Sequence, residues 1–190
     1  ETIATVLQPN QAASVAWGLR PFRGQKFTPI NVRSETVQQR FKWLMTGGRC
    51  LVLADGWYEW MKQEAKGAAR LPFRYTVDGG APFAFAGLWG WANIDEEWIA
   101  SATILTTTAN GVCRPVHDRM PCVLVGAEAE AAWLSADVDV PAALDLLTPL
   151  EDARCAAAPA NPAVNKAGVE GPELLVVPDG GPEPDQLTLV

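Results

Sequence analysis

Apolar residues in this chain fall mostly into short alternating or continuous runs, and only a few stretches carry the three-to-four spacing of a helix. Residues 2–7 and 16–19 read as strands, the second ending at Arg20-Pro21. A loop then runs through Arg23-Gly24-Gln25-Lys26 to Pro29, before a short extended segment at 31–34. Ser34 is the expected cap of a helix with Glu35 in its first turn. Val37, Phe41, Leu44 and Met45 repeat at helical spacing until Gly47-Gly48 stops it. Residues 50–54 form an apolar run of buried-strand type that leads through Asp55-Gly56 into Trp57-Tyr58-Glu59-Trp60. Further strands are expected at 73–77, 83–89, 100–106 and 122–125. Helices are expected at 127–134 and 142–147, the latter with Pro141 near its first turn after Asp139. Residues 156–171, rich in Ala, Pro and Asn, read as loop, and 174–177 as a last strand. The pattern predicts an α+β fold with much strand and few helices, in a single domain over 1–177, and an acidic Pro/Gly-rich tail over 178–190.

Composition narrows this. A chain of 190 residues that is 48% hydrophobic buries a sizeable core, and no apolar run reaches the length of a membrane helix. With no signal-peptide pattern either, a soluble cytoplasmic protein is expected. The chain starts at Glu1, already within a strand pattern, so a preceding segment is expected. Cys50, Cys113, Cys122 and Cys155 show no CxxC pairing, and His117 is the sole histidine, so neither a structural zinc nor any other metal or cofactor is expected. The net charge of −7 is uneven: residues 127–190 carry 12 acidic and 2 basic side chains, residues 1–126 carry 10 acidic and 13 basic. Arg20, Arg23, Lys26, Arg33, Arg40, Lys42 and Arg49 face the lone acid Glu35 within 30 residues, a patch able to neutralise phosphates or simply to be solvated.

Three groups of residues carry candidate chemistry. Glu59 stands among large aromatics, and desolvation disfavours a carboxylate, so Glu59 should hold its proton unusually well and suit general acid/base work. Asn31 and Arg33 alternate on an extended segment and project from one face, an arrangement suited to a phosphate or an oxyanion. His117 lies in Cys113-Arg114-Pro115-Val116-His117-Asp118-Arg119-Met120-Pro121, where two prolines favour a rigid loop over a helix. A proton-transfer residue and a structural histidine remain equal readings of it. Thr106 ends the apolar strand that precedes this loop. Acid/base partners must converge on the reacting atoms, so Glu59, His117 and Asn31 are expected to line one cleft.

Asn31-x-Arg33-x-Glu35-Thr36, Arg49-Cys50-x4-Asp55-Gly56-Trp57-Tyr58-Glu59-Trp60, Thr106-x2-Ala109-Asn110 and His117-x-Arg119-Met120-Pro121 follow one another in this order. Together with Asn165-Lys166 and Gly171-Pro172-Glu173-Leu174, they resemble the SRAP family, the SOS response-associated peptidases. The resemblance implies an irregular, barrel-like, mostly antiparallel β core with a few surrounding helices and a basic groove for single-stranded DNA. It also implies action on abasic sites, through an N-terminal cysteine that becomes free when the initiator methionine is removed autocatalytically and then closes a thiazolidine on the sugar aldehyde. On that pattern Glu59 is the acid/base, and His117 protonates or steadies the opened sugar and helps reversal. Asn31 orients the reacting cysteine, Thr106 sits beside these, and Arg33 and Arg119 hold flanking phosphates. Phe22 and Arg23 fall in the loop where some relatives carry paired tryptophans, leaving Phe22 the one aromatic for a base-stacking wedge. A monomer with no obligate protein partner is expected.

The family's Met-Cys-Gly-Arg start is absent, so the nucleophile is expected to lie outside this sequence. None of the four cysteines replaces it, because the thiazolidine needs an α-amine on the same residue. Two other readings remain: a non-covalent single-strand-binding module in which Glu59 is structural, and a cysteine peptidase built on Cys113 and His117. The second is disfavoured by the prolines, since a four-residue spacing joins side chains on a helix.

Overall fold

The computed structural model of the chain describes residues 1–8, 11–20, 27–63 and 69–178. Phe22 and Arg23 lie outside the described residues, as does the tail from 179 onward. The described elements are β1 (Thr2–Gln8), β2 (Gln11–Trp17), β3 (Asn31–Arg33), α1 (Ser34–Gly47), β4 (Arg49–Ala54), β5 (Trp57–Met61), β6 (Leu71–Val77), β7 (Phe83–Ile94), β8 (Glu97–Thr108), β9 (Arg119–Pro121), β10 (Val123–Leu124), α2 (Gly126–Leu134), α3 (Val140–Asp145) and β11 (Cys155–Pro159). No helix among them is long and apolar enough to cross a membrane. They gather into two compact units, the first made of residues 1–54, 82–108 and 120–149, the second of 55–81, 109–119 and 150–190.

In the first unit a sheet closes on itself. β7 pairs with β4, β4 with β1 and β1 with β2, all antiparallel; β2 then pairs in parallel with β8, which returns antiparallel to β7. Closure of five strands leaves no free edge within the ring. β3 adds in parallel to β8, and β10 adds antiparallel to β7. The core that holds the helices against this barrel contains Phe41, Leu44 and Met45 from α1, Trp133 from α2, and Leu51, Leu88 and Leu105 from the strands. Asp139 caps α3 by accepting from the Ala142 amide at 2.9 Å, with Pro141 in the first turn, as the sequence predicts. At α1 the cap is Arg33 rather than the expected Ser34, and no side chain caps it.

Arg49 was counted with the basic stretch, but it is a core residue, 6% exposed. Its guanidinium donates to the carbonyls of Trp133 (2.7 Å), Met45 (2.9 Å) and Val138 (2.9 Å), and to that of Ser135. Met45, Trp133 and Ser135 lie at the ends of α1 and α2, where helical carbonyls lack intrahelical partners, and Val138 lies in the connection to α3; the buried cation joins all four. The Trp133 indole returns the link by donating to the Cys50 carbonyl at 2.9 Å.

The second unit is built on a three-stranded antiparallel sheet in the order β11-β6-β5. Gly56 opens β5 because a Cβ there would stand 2.7 Å from the Tyr75 carbonyl oxygen, closer than side chains pack. Two expectations fail in this unit. Residues 155–159 form β11 instead of loop, because β6 supplies pairing partners that override the weak strand propensity of Cys-Ala-Ala-Ala-Pro. Residues 172–175 form a single 3-10 turn instead of a last strand, and Leu175 and Val176 remain exposed.

Arg49→Met, which keeps the apolar stem but removes the donor from the buried Trp133 and Met45 carbonyls and from two part-buried ones, is expected to lower unfolding stability by about 2–4 kcal/mol. Urea denaturation with an unchanged m-value checks it.

Candidate active site

Glu59 sits in the middle of β5 opposite Phe73 of β6. Side chains alternate along a strand, so Tyr58 and Trp60, its sequence neighbours, belong to the other face. Trp60 there donates its indole N–H to Asn165 Oδ1 at 2.7 Å. Glu59 instead shares its face with Trp57, Phe73 and Tyr75. Trp57 and Tyr75 pair across the strands, with stacked rings 5.1 Å apart between centroids. Burial in this setting pushes the Glu59 carboxyl above the usual range, and the nearby His117 partly offsets the rise. The direction of the shift agrees with the sequence reading; of the three aromatics named there, only Trp57 shares the face of Glu59, and Phe73 and Tyr75 join it.

His117 reaches Glu59's neighbourhood on a well-anchored turn. Asn110, itself buried, accepts from the Cys113 amide (2.9 Å) and donates to the Leu150 carbonyl (3.0 Å), while the Gly111 amide donates to Asp152 Oδ1 (2.8 Å). The Val116 and His117 amides both donate to the Cys113 carbonyl at 3.0 Å, so the segment turns tightly without becoming a helix. The imidazole is 47% exposed in its side chain, and the Arg119 amide donates to its Nδ1 at 3.0 Å. The same nitrogen lies 3.3 Å from the Arg119 carbonyl and 3.4 Å from Asp118 Oδ1, so the ring is held on its Nδ1 side. Arg119 is half-buried next to it. Glu59 and His117 thus lie near enough within the second unit for the charge of one to act on the other.

Asn31, Arg33 and Thr106 belong to the first unit. Asn31 and Arg33 are exposed and flank buried Val32, so the alternation read from sequence holds. Parallel pairing sets Arg33 beside Thr106, which is buried and whose hydroxyl lies 3.5 Å from the Val32 carbonyl. Arg40 and Lys42 are exposed on α1, with the Arg40 guanidinium 4.9 Å from the Phe27 ring centroid.

Cys113 has none of the character of a peptidase nucleophile. It is 1% exposed, and its hydrogen bond to Cys155 together with burial pushes the thiol far above its ordinary value, opposite to the activation a nucleophile needs. Sequence reasoning missed two members of this neighbourhood, Tyr75 and Cys155. Tyr75 is fully buried, and its hydroxyl has no hydrogen-bond partner among the described residues. Burial, then Cys113, Glu59 and Cys155, hold its proton on. The alternation of β6 marks Tyr75 as a core residue, but only the β5–β6 register puts it beside Glu59. Among the described residues no cluster of three or more His, Cys, Asp or Glu gathers to hold a metal ion.

Comparison with known proteins gives this arrangement a family. The chain is 33% identical to the abasic site processing protein YoaM of Bacillus subtilis over 133 residues, 66% of this chain and 57% of YoaM, so it spans little more than half of that relative. It is 32% identical over 174 residues to the abasic site processing protein YoqW of the same organism, 87% of this chain and 76% of YoqW. A solved protein of Bacteroides thetaiotaomicron shares the fold with a TM-score of 0.83 over 94% of this chain and 82% of that one, at 21% identity. The family described as SOS response associated peptidase (SRAP) matches residues 2–167, and the chain belongs to that family.

Proposed function

We propose that this protein senses abasic sites in single-stranded DNA and captures them covalently, with Glu59 and His117 moving the protons. The observation that carries the reading is the pairing of a half-desolvated carboxyl with an accessible imidazole on a rigid turn, in a family whose relatives YoaM and YoqW are named for abasic site processing. The chemistry needs such a pair. The α-amine of an N-terminal cysteine, which residues 1–190 do not contain, condenses with the open-chain sugar aldehyde and water leaves. The thiol then adds to the resulting C=N carbon, and its proton ends on nitrogen. A carboxyl that desolvation holds above the usual range protonates the departing oxygen and, once ionised, takes the thiol proton. The same group serves removal of the initiator methionine, taking a proton from the attacking water and returning one to the leaving amine. On this reading His117 protonates the opened sugar, and Asn31 orients the cysteine terminus.

Arg33 and Arg119 supply charge for the phosphates on either side of the missing base, and a flexible single strand is the form that lets them track its backbone. The protein works as a monomer in the cytoplasm. The peptidase reading with Cys113 loses its nucleophile to burial, as described above.

Two outcomes are expected. The full-length protein mixed with single-stranded DNA carrying one abasic site should give a shifted band on a denaturing gel, formed about 100-fold more slowly by Glu59→Gln, while reversible DNA binding is unchanged. No shifted band, or one of undiminished rate in Glu59→Gln, removes the mechanism. For non-covalent binding, Arg33→Ala should weaken affinity equally across sequences and reduce the slope of log affinity against log salt by about 0.7. Fluorescence anisotropy over a salt series measures both.

A further inference from the structure

The Cys113 and Cys155 sulfurs lie 3.9 Å apart, both enclosed, in a protein whose proposed chemistry uses neither. They come from separate parts of the second unit. Cys113 belongs to the anchored turn that leads to His117, and Cys155 begins β11, paired with Val77 at the end of β6. We propose that this pair is a redox modification site, at which a peroxide converts the two thiols into an intramolecular disulfide that ties the His117 turn to the sheet carrying Glu59.

Either sulfur can donate the S–H that joins the pair, so direction follows from access. Thiolate is the form that attacks a peroxide, and the peroxide must reach it. Cys155 is the more accessible of the two, 8% exposed against 1%, and its contact with Cys113 holds the Cys155 thiol below its ordinary value. The Cys155 thiolate therefore attacks one peroxide oxygen, the O–O bond breaks, and the other oxygen leaves as an alcohol or water. Cys155 is then a sulfenic acid. The Cys113 thiol attacks that sulfur, the S–S bond forms, and the sulfenic oxygen departs as water, carrying the Cys113 proton. Two thiols have given up two electrons and two protons, and the peroxide has taken them. A disulfide between residues 42 apart in sequence restrains the unfolded chain and fixes the turn against β11. A reducing compartment allows such bonds as transient, sensing ones. Cys50 and Cys122 are internal controls: both are fully buried in the other unit, and burial alone pushes the Cys50 thiol up.

The bond does not depend on the DNA chemistry, so its test stands apart from that reading. Trypsin puts each cysteine on its own peptide, residues 50–62, 75–119, 120–154 and 155–166, because the Arg114-Pro115 bond resists cleavage. The folded chain is treated with hydrogen peroxide, alkylated under denaturing conditions and mapped without reduction. The expected result is a fall from four titratable thiols to two, a cross-link joining 75–119 to 155–166 within one chain, and recovery of all four thiols with dithiothreitol. In Cys113→Ala, dimedone should trap a sulfenic acid on 155–166, whereas Cys155→Ala should give none on 75–119. Retention of four thiols, irreversible over-oxidation, or cross-links that involve 50–62 or 120–154 overturn the proposal.

Discussion

The stacked Trp57–Tyr75 pair across β5 and β6 is the contact on which the account of the candidate site depends. It fixes the register of β5, and register decides which face every side chain of a strand occupies. A slip of one residue would turn Glu59 to the face of Trp60 and Asn165, and bring Tyr58 inward. In the observed register Glu59 has Phe73 opposite and Tyr75 diagonal to it, and loses enough water to hold its proton. His117 limits the rise, because its positive form favours the ionised glutamate. Desolvation and charge thus act in opposite directions on one group, with desolvation the larger.

The first unit solves a different problem, which is to present a short polar strand from a closed barrel. β3 has three residues and survives because β8 supplies its pairing and Val32 is buried beneath it. Asn31 and Arg33 are left outward on a rigid support, where an amide and a guanidinium can meet an anion without reorganising. Arg49 does the opposite work. Its charge is spent inside, on carbonyls at and just beyond the helix ends, and contributes nothing to the outer basic face. A count of basic residues along the chain overstates that face for this reason.

Much of this was legible in sequence because it is local. Period-two and period-3.6 patterns located α1, β4 and β6 to β8, and Asp139 with Pro141 marked the start of α3. The ordered motifs gave the family before any coordinate did. What escaped was what pairing creates. β11 has no strand signal of its own, since Cys155-Ala-Ala-Ala-Pro159 is strand only because β6 lies alongside. Without β11 there is no reason to set Cys155 beside Cys113, so that thiol pair was invisible too. Of the aromatics around Glu59 only Trp57 is legible in sequence, because adjacency puts Tyr58 and Trp60 nearest, while the sheet chooses Phe73 and Tyr75.

The most direct measurement is the titration of the Glu59 carboxyl by carbon-13 NMR, assigned against Glu59→Gln, in the wild-type chain and in His117→Ala. Above the ordinary range in the wild type, the midpoint should move further upward when the histidine is removed, because a positive neighbour that favoured the ionised form is gone. A Glu59 that titrates at about 4.3, the same with and without His117, would mean that the two groups do not share an environment, and the proton-transfer pair would have to be abandoned.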